Sequence, residues 1–72
     1  SAASDVYKRQ VQTTLRKLPE KYRIPVCLYY GEELTIEDIA GCLRIPQGTV
    51  KSRLHKAREK MKEELEAAGY DR

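Results

Sequence analysis

Phenylalanine and tryptophan are absent from this 72-residue chain, and its five aromatic residues are all tyrosines. A core built without those two rings must be aliphatic, drawn from Leu, Ile, Val, Ala and the single Met. At this length it holds about a dozen side chains, which leaves little room for an enclosed catalytic cavity. Metal-ligand chemistry is equally scarce. There is one histidine, and the two cysteines, Cys27 and Cys42, lie fifteen positions apart without CxxC spacing. A tetrahedral site needs about four such ligands, so structural zinc is not expected. Both cysteines sit in apolar stretches and read as reduced packing residues of a cytoplasmic protein. No Gly-rich phosphate loop or cavity-framed acid pair is visible, so neither an enzyme nor a cofactor is expected. No apolar run approaches the roughly 18 residues needed to span a membrane, and no secretory signal is visible.

What the chain has in quantity is charge. Asp, Glu, Lys and Arg make up 35% of the residues, which suits amphipathic helices with solvated outer faces. The net charge is only +3, but it is unevenly placed. Between Lys51 and Lys62 stand six basic residues (Lys51, Arg53, Lys56, Arg58, Lys60, Lys62) and one acid, Glu59. Between Glu32 and Asp38 stand four acids and no base. Such a dipolar surface fits a protein with one face toward a polyanion and another toward a different partner.

Hydrophobic spacing lays out an all-α domain of three to four helices. Val11, Leu15 and Leu18 form a helical stripe that ends at Pro19, where Leu18-Pro19-Glu20 marks a break and a new start. Tyr22, Val26, Leu28, Tyr29 and Tyr30 fill a second helix closed by Gly31. Pro25 inside it removes one backbone bond and predicts a bend or a loosened first turn, not two separate helices. Thr35-Ile36-Glu37-Asp38 reads as a capping box opening a short helix, with Ile36, Ile39, Ala40 and Leu43 on its inner side. Pro46 is expected at the first position of a last, long helix, where Val50, Leu54, Ala57, Met61 and Leu65 recur every three or four residues. That helix should fade near Ala68-Gly69. The domain is expected over 11–68, with a tail at 69–72. Asp5 to Gln10 looks like a translated reading frame of a transposon adapter used in sequencing-library preparation, so residues 1–10 are expected to be a non-native scar replacing native upstream sequence.

The short helix, the turn and the long helix together make a helix-turn-helix. Ala40 is small where the two helices meet, and Ile39, Leu43, Ile45, Val50 and Leu54 close the core between them. With Val50, Leu54 and Ala57 inward at 100° per residue, Gly48, Ser52, His55, Lys56 and Glu59 point outward and Lys51 and Arg53 flank them. A helix of this kind enters the major groove of DNA with its N-terminal residues near base edges. Lys51 and Lys56 suit guanine O6/N7, Ser52 can donate or accept, and His55 can meet a base edge or a thymine methyl. Thr35 and Thr49, beside free N–H groups at helix starts, suit phosphate oxygens, as do Arg44, Arg53, Arg58 and Lys60.

These segments resemble a known family. Leu18-Pro19-Glu20-Lys21-Tyr22-Arg23, the Tyr-rich second helix, Leu34-Thr35-Ile36-Glu37-Asp38-Ile39-Ala40, and the run from Gly48 to Arg58 look like region 4 of bacterial sigma factors, in the extracytoplasmic-function branch of the sigma-70 family. The resemblance covers about Val11 to Leu65. It implies recognition of the upstream (−35) promoter element in double-stranded DNA, with base and backbone contacts on the segment of Lys51, Ser52, His55 and Lys56. It further implies docking of an acidic and apolar surface on the β flap of RNA polymerase, and masking by an anti-sigma factor. The promoter-melting region 2 of the family is not in this chain.

Two positions depart from the family pattern. Arg44 stands in the turn where Gly is common, while Gly41 lies inside the preceding helix, so the turn is expected either to carry the strain of a left-handed Arg44, which a phosphate contact could offset, or to adopt another conformation. Lys51 stands where Arg is frequent, exchanging a bidentate fork for a point charge. Two other readings are open. One is the helix-turn-helix of response regulators and quorum-sensing activators, but those carry His where Arg53 stands and have a dimerising last helix. The other is a protein-interaction module that binds polymerase or an anti-sigma factor with weak DNA affinity of its own.

Overall fold

A computed structural model describes residues 2–69 of the chain. Four α-helices account for nearly all of it: α1 (Ala2–Lys17), α2 (Glu20–Val26), α3 (Ile36–Leu43) and α4 (Gln47–Ala67). Among the described residues there are no strands, and no helix is long and apolar enough to cross a membrane. The all-α architecture with a long last helix is the one the hydrophobic spacing predicts.

The long helix α4 organises the rest. Val50, Leu54 and Ala57 are buried along its inner side, with Met61 half-buried beyond them. α2 and α3 cross its N-terminal half, and α1 lies against its C-terminal half, tied there by Lys17 Nζ to Glu64 Oε1 at 3.2 Å. The shared core contains Leu18, Val26, Ile39, Ala40, Val50, Leu54 and Ala57, with Leu15, Leu43 and Ile45 half-buried against it. It is aliphatic as expected, with Tyr22 and Tyr29 adding half-buried rings at the margin. Thr14 is the buried polar exception: its hydroxyl has no protein partner.

Prolines and a capping box set the helix starts. Pro19 and Pro46 each hold φ near the helical value, −57° and −64°, but with extended ψ of 151° and 152°. Each therefore stands just before its helix, not at the first helical position expected for Pro46. Its carbonyl accepts the first intrahelical bonds, from Thr49 and Val50 in the case of Pro46. Thr35 caps α3 as its pattern predicts. Its Oγ1 accepts from Asp38 N–H at 3.0 Å, and the Asp38 carboxylate reaches back to the Thr35 N–H at 3.5 Å. α4 ends at Ala67 and Gly69 takes a left-handed φ of 94°, close to the expected stop. Only Gly69 of the expected tail lies within the described residues.

The second helix differs from its sequence reading. After Val26 the chain widens into a π-helical turn over Cys27–Gly31, closed by Glu32 N–H to the Cys27 carbonyl at 3.2 Å. Pro25, buried in the preceding turn, cannot donate to the carbonyl four residues back, yet the first turn of α2 stays α-helical, and the irregularity lies after the proline, not in the loosened first turn expected from its position. The cysteines are a second correction. Both are free, but both are exposed, not packed. Cys42 falls off the Ile36–Ile39–Ala40–Leu43 stripe, and Cys27 starts the π turn facing away from Val26.

α1 begins at Ala2, so the segment resembling adapter sequence continues the helix without interruption. Residues 5–9 are nonetheless exposed, and the packing of α1 begins with the half-buried Gln10 and Val11 and the buried Thr14.

Candidate nucleic-acid interface

α3, the turn Arg44–Pro46 and α4 form the helix-turn-helix. Ile39 and Val50 are completely buried at its centre, and Ala40 is buried beside them. Arg44 ends α3 at φ 58°, ψ 47°, the left-handed and strained of the two conformations that its position left open. That backbone angle lets Ile45 N–H reach the Ala40 carbonyl at 3.1 Å, the 6→1 bond of a Schellman-type closure. Ile45 is thereby folded back onto the core, and α4 is set in its direction.

The first turns of α4 present the candidate reading face. No side chain caps this helix start, so its leading N–H groups face outward. Lys51, Ser52, His55 and Lys56 are all exposed, the last three on the side opposite Val50, Leu54 and Ala57 and Lys51 on its flank. Gly48 has open space around it, which permits close approach of another molecule to the backbone. A preformed helix face of hydrogen-bonding and cationic groups, with N–H dipoles at its tip, can meet phosphates and base edges together.

The candidate phosphate residues are dispersed. Thr49 and Arg53 are half-buried and share an open groove of about 320 Å³ with Ser52 and Lys56, walled on the far side by Lys21 and Tyr22 of α2. Arg44 is exposed at the turn. Arg58 Nη1 donates to the Tyr30 hydroxyl at 2.9 Å, which commits part of its guanidinium to the π turn. Lys60 Nζ lies over the Tyr22 ring, 5.7 Å from its centroid. Thr35 sits apart at the start of α3 beside Glu37 and Asp38, its oxygen engaged in the cap. Lys21 and Tyr22 were not singled out by sequence reasoning. Only the packing of α2 across α4 brings them to the groove, and no local pattern signals that.

Comparison with known proteins follows the geometry. The sequence profile of the family described as "Sigma-70, region 4" matches residues 8–61, three-quarters of the chain, including α3, the turn and α4 as far as Met61. The chain belongs to the sigma-70 region 4 family. Over 55 residues it is 44% identical to the ECF RNA polymerase sigma factor SigW of Bacillus subtilis, covering 76% of this chain and 29% of that protein. Over 62 residues it is 39% identical to the RNA polymerase sigma-H factor of Pseudomonas aeruginosa, covering 86% and 32%. Over 63 residues it is 36% identical to the ECF RNA polymerase sigma-E factor of Haemophilus influenzae, covering 88% and 33%. These names put the region 4 domain in the extracytoplasmic-function branch. The chain spans about a third of the length of the curated relatives it matches.

Proposed function

We propose that this region 4 domain binds the upstream (−35) promoter element in double-stranded DNA, as the promoter-recognising part of a sigma factor directing transcription initiation by RNA polymerase. The observation that carries this reading is the exposed set Lys51, Ser52, His55 and Lys56 on the uncapped start of a helix pinned from behind by fully buried Val50. Membership of the family and the names of its relatives support it. Lys51, Ser52, His55 and Lys56 read bases. Thr49 and Arg53 hold phosphate beside them, Arg44 does so at the turn, and Arg58 and Lys60 do so further along α4. Thr35 contributes at the α3 start. An acidic and apolar surface away from the reading helix is the docking face for the polymerase β flap, and an anti-sigma factor masks the domain when transcription is off. A protein doing this job acts in the cytoplasm.

The test is selection of bound duplexes from a random pool, followed by anisotropy titrations of Lys51→Ala, Lys56→Ala and Lys62→Ala. Losses from the first two that exceed the third, with changed base preference, support the reading. Equal losses from all three mean non-specific charge attraction. Absence of binding even at low salt favours a pure protein-interaction module.

A further inference from the structure

The α2 side of the groove carries an arrangement that the proposed base reading does not use. Tyr22 is half-buried there, and two ammonium groups flank its ring: Lys21 Nζ at 5.1 Å and Lys60 Nζ at 5.7 Å from the centroid. Among the described residues neither ammonium is ion-paired, although acids are close in sequence to both. Glu20 is taken by Arg23 at 3.9 Å and Glu64 by Lys17 at 3.2 Å. An aromatic face attracts cations, and a lysine so held has already lost part of the rotamer freedom that binding would otherwise remove. In the groove that Lys21 and Tyr22 line, Arg53 and Lys56 add two more cations and Thr49 and Ser52 two hydroxyls, with no carboxylate, while Lys60 lines a neighbouring groove with Glu63 and Glu64.

We infer that Tyr22 is a positioning residue: its ring holds Lys21 and Lys60 as a phosphate-binding wall on the α2 side of the reading helix. The DNA strand on that side is then gripped by cations from two helices at once. This rests on the DNA-binding reading above. The wall touches backbone only, so it adds affinity equally to every sequence and leaves base preference unchanged.

The test uses the 72-residue chain and a duplex taken from the selection, with affinity followed against salt. Lys21→Gln lowers the log–log salt slope by about one, which corresponds to about a fivefold loss at 0.15 M salt when extrapolated from 1 M. Tyr22→Phe keeps the ring and retains the slope and affinity. Tyr22→Leu, shown by circular dichroism to be folded, loses slope, and adding Lys21→Gln to it costs less than in the parent. An unchanged slope in Lys21→Gln while Lys56→Ala weakens binding overturns the wall and leaves the base reading intact. Loss of slope in Lys21→Gln but not in folded Tyr22→Leu overturns the positioning role. No salt-dependent binding by the parent chain overturns both inferences together.

Discussion

Arg44→Gly separates what the turn needs for folding from what it offers to DNA. Arg44 holds φ 58°, ψ 47° without the freedom of glycine, and its side chain is exposed and makes no hydrogen bond or ion pair among the described residues. The left-handed conformation costs an L residue about 1–2 kcal/mol. Glycine removes that cost but adds about 0.5–1 kcal/mol of backbone entropy to be lost on folding. The balance is a gain of about 0.5–1 kcal/mol, which for a domain of this size raises Tm by about 2–8 °C. Thermal unfolding followed by circular dichroism reads it directly. Arg44→Ala is the companion, since it keeps the strained backbone and removes only the guanidinium, so its Tm stays near that of the parent. If Arg44 also holds a phosphate, both variants lose about one unit of salt slope in DNA binding. A Tm for Arg44→Gly at or below that of the parent refutes the strain argument. A raised Tm with unchanged slope removes Arg44 from the interface.

Two further perturbations test other parts of the structure. Thr35→Ala deletes the hydroxyl of the capping box and should destabilise the domain by about 1 kcal/mol, a fall in Tm of about 4–8 °C, while Thr35→Ser recovers most of it; equal melting of all three would mean that α3 does not depend on its cap. Deleting residues 1–10 removes only the part of α1 before Val11, so Tm should move by less than about 4 °C and the selected DNA sequence should not change; a collapse of the fold would show that this segment is part of the domain.

Features governed by neighbouring residues were legible in the sequence. The Thr35–Asp38 cap and the inner stripe of α4 follow from spacing and residue chemistry, and both are present, whereas the left-handed Arg44 was one of two outcomes that the family pattern left open. Those that depend on distant packing were not. The residues of the π turn read as ordinary helix, because the lost bond at Pro25 says that the backbone must adjust but not how. The cysteines were misread through apolar neighbours, when their position relative to the α3 stripe was the better guide. Thr14 lies four residues before Leu18, so period alone would have placed it inward. The groove wall of Lys21 and Tyr22 had no such signal, because it exists only where α2 crosses α4. Of the residues nominated for phosphate, the sequence could not tell that Arg58 turns to Tyr30 or that Lys60 turns to Tyr22.

α4 divides its length between two tasks, and its charges mark the division. Base reading demands side chains held to within about half an ångström, so it belongs where the backbone is pinned. Lys51, Ser52, His55 and Lys56 are interleaved with Val50 and Leu54, which are 0% and 3% exposed, and α2 and α3 brace that segment. Further along, the inner side is only half-buried at Met61 and Leu65, and the outer residues change sign. Six bases against one acid between Lys51 and Lys62 give way to Glu63, Glu64 and Glu66 with no base before Ala67. A phosphate backbone is drawn to the first segment and repelled by the second. On the proposed reading, DNA therefore meets only the braced part of the helix, and Glu64 is left free to hold α1 through Lys17, where its charge would be unfavourable next to phosphate.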